Sequence, residues 1–206
     1  YKQDRIVIRQ IGHIPIVGMC KGKILASNTL YSIFPKTEDC NLKYILCILN
    51  SSVIKQYWLS KYSDSKLLFP KIKGYQLKEL PIKSISPEAQ EPFIELADKM
   101  LTLNAELQGL RSKFLRRLQD NFDGIKITGA LEKFDTMDFA AFVKELAKQK
   151  IKLSLKQQDE WEEYFNAYRA DGTALSIEIT ATDHTIDQMV YELYGLTDEE
   201  IMIVEK

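Results

Sequence analysis

Seven apolar residues set the main constraint on this chain. Phe93, Leu96, Met100, Leu103, Leu107, Leu110 and Phe114 recur at spacings of 3, 4, 3, 4, 3 and 4. That is the 3.5-residue period of a coiled-coil seam. A second run, Leu175, Ile179, Thr182, Ile186, Met189 and Leu193, repeats the pattern at 4, 3, 4, 3 and 4. One such stripe fits any bundle helix. Two in one chain, about residues 87–119 and 174–194, predict a long antiparallel pair. The first helix opens at Ser86-Pro87-Glu88-Ala89, with Ser86 as N-cap and Pro87 at the first helical position. Running to Gln119, it would measure about 50 Å at 1.5 Å per residue. It reads as a strut rather than part of a globule.

The second seam ends in an explicit stop. Gly195 follows the last apolar position, and Thr197-Asp198-Glu199-Glu200 is a capping box that starts a short capping helix over 197–204. The acidic cluster Asp198-Glu199-Glu200 is explained by the dipole at a helix N-terminus rather than by metal binding. Between the seams, residues 120–170 read as an inserted helical lobe, entered past Gly124 and Gly129. One amphipathic helix carries Phe139, Phe142, Val143 and Leu146. Another is capped by Ser154 and runs through Trp161, Tyr164, Phe165 and Tyr168. Asp171-Gly172-Thr173 is either a local break or a costly mid-helix glycine.

Residues 1–85 follow a different pattern. Arg5–Arg9, Ile16–Cys20 and Thr29–Phe34 read as strands, with a tight turn at Lys21-Gly22-Lys23. A helix begins near Asn41, and Asn50-Ser51-Ser52 is a candidate interruption that would divide it in two. A short helical turn at Tyr75–Leu80 precedes Pro81, and Ile82–Ile85 reads as a further strand. The expected fold class is therefore α+β: an N-terminal mixed domain over 1–85, then a helical region over 86–206.

Charge separates the same two parts. Residues 1–85 hold 14 basic and 5 acidic side chains; the remainder holds 14 basic and 24 acidic. A net of −1 thus hides a basic half, which points to a polyanionic partner. No stretch is long and apolar enough to span a membrane. Cys20, Cys40 and Cys47 are odd in number and form no CxxC, which argues against disulfides and zinc and suits a reducing cytoplasm. The chain starts at Tyr1 without a charged-then-apolar leader, and reads as a piece of a longer, unsecreted protein. No Gly-rich phosphate loop is present, and His13 and His184 have no neighbouring Cys or His ligands. Asp64 and Lys66 lack the companion acidic motif of a nuclease core. The sequence therefore predicts no catalysis by this chain alone.

Four blocks resemble a known family. The run from Ile186 through Val190-Tyr191-Glu192-Leu193-Tyr194-Gly195-Leu196-Thr197 to Ile201 is similar to the closing phrase of many bacterial adenine-specific DNA methyltransferases of restriction–modification systems. Arg5–Gly12, Leu42–Ser51 and Phe69–Ile82 resemble the opening strand, a helix and the closing segment of their TaqI-like C-terminal specificity domain. The middle lobe, with Glu160-Trp161-Glu162-Glu163-Tyr164-Phe165, resembles larger fused type II restriction–methylation enzymes. The resemblance implies a double-stranded DNA recognition domain. It also implies a catalytic methyltransferase domain in the same parent chain, S-adenosylmethionine as that parent's cofactor, and magnesium where a nuclease part is present. The methyltransferase's cofactor domain and its Asn-Pro-Pro-Tyr type loop are not found here. Two other readings stay open: a separate specificity subunit that docks onto methyltransferase and nuclease chains, and an RNA-binding scaffold.

DNA physics nominates the contacts. Lysine and arginine displace counterions and give sequence-neutral affinity, whereas base identity is read by a few groove-facing side chains. Arg9, Lys21, Lys23, Asn28, Lys61, Lys66, Lys71 and Lys73 are the expected DNA-binding residues. Asn28 and Lys23 are the candidate base readers, and Lys71 and Lys73 the candidate phosphate holders. Tyr57 and Trp58 are expected in the core.

Overall fold

The computed structural model describes residues 3–22, 28–35, 39–62 and 70–206, and its architecture is α+β. The chain divides into two compact units. One comprises the N-terminal residues through Lys99 together with Thr182–Lys206; the other is Met100–Ala181.

In the first unit, β1 (Arg5–Arg9) is the centre of a three-stranded antiparallel sheet, flanked by β2 (Val17–Cys20) and β3 (Leu30–Ile33). Register sets Arg5 opposite Cys20 and Ile8 opposite both Val17 and Tyr31. Strand alternation puts Ile6 and Ile8 on one face, where both are fully buried. Helix α1 (Leu42–Asn50) packs against β1 and β2. Its start is fixed twice: the Asn41 side chain accepts from Lys43 N–H at 2.9 Å, and the Asn41 N–H donates to Gln90 at 2.9 Å. Helix α1 ends at Asn50 and α2 (Ser52–Tyr62) begins two residues later, so the interruption read from Asn50-Ser51-Ser52 is present.

The N-terminus of α2 is held from a distant part of the chain. The Asp187 carboxylate accepts from the Ser52 N–H at 2.8 Å and from the Ser52 hydroxyl at 2.6 Å. A carboxylate here satisfies orphan donors and complements the helix dipole. Trp58 of α2 is buried, with its indole N–H on the His13 carbonyl at 3.0 Å, as expected for a core residue.

The short α3 (Gly74–Lys78) leads to the segment expected as a strand at Ile82–Ile85, and no strand forms there. Side chains take the backbone groups that a neighbouring strand would have used. Lys83 N–H donates to the Tyr194 hydroxyl at 3.3 Å, and the Tyr44 hydroxyl donates to the Lys83 carbonyl at 2.5 Å. Helix α4 (Pro87–Asn121) starts where Ser86 predicts, the Ser86 hydroxyl accepting from Ala89 N–H at 3.3 Å. Phe93 and Ala97 on α4, and Ile186, Val190 and Tyr191 on α6 (Leu155–Tyr194), are core residues of this unit. That is why the unit's limits fall within both long helices rather than at residue 85. Gly195 stops α6 at φ 70°, and the capping box of Thr197 and Glu200 starts α7 (Asp198–Val204).

The second unit is built on aromatic packing. Phe114, Phe134, Phe142 and Phe165 are all fully buried, with Leu118, Leu131 and Leu146 around them. Phe122 meets Trp161 and Phe114 meets Tyr168, with ring centroids 5.4 and 5.7 Å apart. Contacts thus step backward along the first chain segment as they step forward along α6, which makes the helices antiparallel in this unit. A 3-10 segment (Leu131–Thr136) and α5 (Phe139–Lys148), capped by Asp138, complete the lobe. Every position of both seams is buried or half-buried.

The helix through Tyr168 and the second seam are one helix, because α6 runs unbroken through Gly172, the mid-helix glycine of the two alternatives. The glycine has a tertiary reason. A Cβ at position 172 would stand 2.8 Å from the Asp135 Cβ. Asp135 is itself buried and accepts from Arg111 Nε and Nη2 at 2.7 and 2.8 Å. Gly172→Ala should therefore destabilise the protein, although alanine is the better helix former by about 1 kcal/mol. Denaturant unfolding checks it; an unchanged or raised midpoint would contradict the packing argument.

Candidate nucleic-acid interface

The C-terminal end of β1 gathers more than the strands themselves. Beyond Arg9, the Gln10 N–H donates to the Thr29 carbonyl at 2.9 Å. The Gln10 carbonyl accepts from Ile72 N–H at 2.9 Å, and Gly12 N–H donates to the Pro70 carbonyl at 3.0 Å. These bonds bracket an antiparallel bridge between Ile11 and Lys71. Residues 70–72 are thereby fixed beside the end of β1. Ile72 is buried, while Lys71 and Lys73 on either side of it are exposed.

Four of the expected DNA-binding residues meet at this end. Arg9 is exposed at the close of β1, and Asn28 is exposed two residues before Leu30, which pairs with Arg9. Lys71 and Lys73 arrive through the bridge. The Tyr31 hydroxyl bonds the Ile72 carbonyl at 3.1 Å, and its ring lies 3.6 Å from where a Gly74 Cβ would stand. Lys73 begins α3: its N–H donates to Gln76 Oε1 at 2.8 Å, and its ammonium lies 5.8 Å from the Tyr75 ring centroid.

Two expected residues stand elsewhere. Lys21 is exposed, but it follows Cys20, which pairs with Arg5. Antiparallel pairing therefore puts it past the opposite end of β1, about 17 Å along the strand from Arg9 at 3.4 Å per residue. Lys61 is exposed at the end of α2, yet it is engaged. Its ammonium donates to the Tyr57 hydroxyl at 2.9 Å and pairs with Glu79 at 3.1 Å. Those bonds, Tyr57 first and Glu79 second, hold the ammonium above its ordinary pKa. Lys23 and Lys66 lie outside the described residues.

Sequence reading missed Ile11, Ile16 and Tyr75, which are exposed by 36%, 54% and 55% at this same end. Hydropathy alone assigns such side chains to the core. The signal that could have found them is their spacing from cations: Ile11 lies two residues from Arg9, and Tyr75 two from Lys73.

Rigid ladders that present cations beside apolar side chains have the make-up of a recognition domain. Residues 1–82 match the family model of the TaqI-like C-terminal specificity domain. That family suggests DNA sequence recognition in restriction–modification. Residues 86–190, just over half the chain, belong to a second family, described as a domain of unknown function (DUF8810). No curated protein and no solved structure matches the chain. Among the described residues, no helix is long and apolar enough to cross a membrane, and no group of His, Cys, Asp and Glu is placed to hold a metal.

The Lys61 cluster makes a pH-dependent prediction. Glu79 titrates below its ordinary value of 4.5, first because the Tyr62 hydroxyl donates to it at 2.6 Å and then because of Lys61. A depressed folded pKa stabilises above the unfolded value, and that contribution is lost as pH falls through the folded one. Tyr62→Phe should move the Glu79 midpoint up toward 4.5. Side-chain NMR titration reads it directly, and an unmoved midpoint would show that the hydroxyl is not the main cause.

Proposed function

We propose that this chain is the sequence-reading module of a restriction–modification enzyme that methylates adenine in DNA. It positions double-stranded DNA for a catalytic methyltransferase domain of the same parent protein. The reading assigns S-adenosylmethionine to that catalytic portion, with magnesium where a nuclease part accompanies it. The observation that carries the proposal is a coincidence: the part assigned to the specificity-domain family brings Arg9, Asn28, Lys71 and Lys73 to one end of one small sheet.

The chemistry divides these residues. Lys71 and Lys73 flank a buried residue on a fixed backbone, so their charge is presented without a large ordering cost, which suits phosphate positioning. Asn28 carries both a donor and an acceptor, the pattern that adenine matches in the major groove. Lys61 is already held by Glu79 and Tyr57, so it serves the local structure first.

Competition binding tests the division, with duplexes varied one base pair at a time and salt varied separately. Alanine at Lys71 or Lys73 should weaken all duplexes about equally and lower the salt slope by roughly 1. Lys61→Ala should change the slope less than either. Asn28→Ala should cost about 1–3 kcal/mol on the preferred site alone. If joint charge reversal at Lys71 and Lys73 leaves binding unchanged, the sheet end is not the interface. Preference for single-stranded RNA over duplex DNA would favour an RNA-binding scaffold instead.

A further inference from the structure

Cations held on phosphates cannot distinguish one duplex from another, because phosphates repeat identically along DNA. The open end of the sheet carries more than cations. Arg9 N–H donates to the Ile16 carbonyl at 3.2 Å, continuing the β1–β2 register and placing Ile16 opposite Arg9. Ile11 lies opposite Lys71. Directly opposed residues of an antiparallel pair project to the same face. Each cation therefore has an exposed isoleucine beside it, on the face away from buried Ile6 and Ile8.

We propose that Ile11 is a specificity-determining residue that contacts the C5 methyl of a thymine in the major groove, while Lys71 and Arg9 hold phosphates. The inference rests on the DNA-reading function proposed above. Isoleucine has no donor for a phosphate, and the contact by which it can tell one stacked base pair from another is an apolar one at a base edge. The apolar group on those edges is the thymine methyl, and it lies in the major groove. The minor groove offers acceptors and one guanine donor instead.

The backbone that carries Ile11 is held on both sides, by the bonds from Gly12 to Pro70 and from Ile72 to Gln10. Gly12 itself has φ 155°, and a Cβ there would close to 3.3 Å from the Ile14 carbonyl oxygen. A contact that depends on one methyl group needs a support this well determined.

The test begins with duplexes enriched by the chain from a random library. Each thymine in the enriched site is then replaced by uracil, which removes the methyl and keeps every hydrogen bond. At one thymine the wild-type chain should bind the uracil duplex about fourfold more weakly, the value of one buried carbon. Ile11→Ala should bind both duplexes equally, with its salt slope and its affinity for random-sequence duplex unchanged. Ile11→Ser, which has no methyl to offer the thymine, should behave the same way, with circular dichroism showing that both variants fold. Uracil tolerated at every position, or a thymine preference that survives in Ile11→Ala, would overturn the proposal while leaving DNA binding intact. Failure to enrich any duplex would overturn both this inference and the function on which it rests.

Discussion

The contact between Asp187 and Ser52 governs the N-terminal unit. One carboxylate receives a backbone N–H and a hydroxyl at the start of α2, from a residue 135 positions later. Helix α2 in turn holds Trp58, whose indole fixes the His13 carbonyl in the loop between β1 and β2. That loop sets the course of Ile11, Gly12 and Ile16. The path from the end of α6 to the open end of the sheet thus runs through two hydrogen-bonded anchors. Tyr194 adds a second tie, donating to the Pro81 carbonyl and accepting from Lys83 N–H. The end of α6, from Thr182 onward, is as much a part of this unit as the strands are.

The open end of the sheet shows how a small sheet can carry charge without losing order. Lys71 and Lys73 project from a segment whose intervening residue, Ile72, is buried and whose backbone is bonded to Gln10. Burial of the middle residue orients both neighbours outward, because strand side chains alternate. Lys61 shows the opposite arrangement. Its charge is spent on Glu79, Tyr57 and Tyr62, and it stiffens the C-terminal turn of α2.

Features that rest on local chemistry were legible in the sequence. The stop at Gly195, the capping box at Thr197, the starts at Asn41 and Ser86, and the break at Ser51 depend on residues within one turn of each other. The two seams were legible because a period sustained over six or seven positions outweighs any single exception. Features that rest on tertiary partners were not legible. Gly172 looks like a break until Asp135 is placed against it. Ile82–Ile85 looks like a strand until Tyr44 and Tyr194 take the Lys83 backbone. Lys21 looks like a neighbour of Arg9 until antiparallel register sends it to the other end of β1. The role of Lys61 depended on Glu79, eighteen residues away, and hydropathy hid Ile11, Ile16 and Tyr75 by assigning them to the core.

The first unit is assembled from the two ends of the sequence, with Met100–Ala181 inserted between them. This order matters while the protein is being made. Ribosomes add about 5–20 residues per second, and domains ordinarily fold as they emerge. Here the strands, α1 and α2 leave the ribosome long before Asp187 and Tyr194 exist. The helical lobe has its complete aromatic core by Tyr168 and can condense first. The unit that carries the sheet is then the last to close, and its proposed recognition surface is complete only once Thr182–Lys206 has emerged.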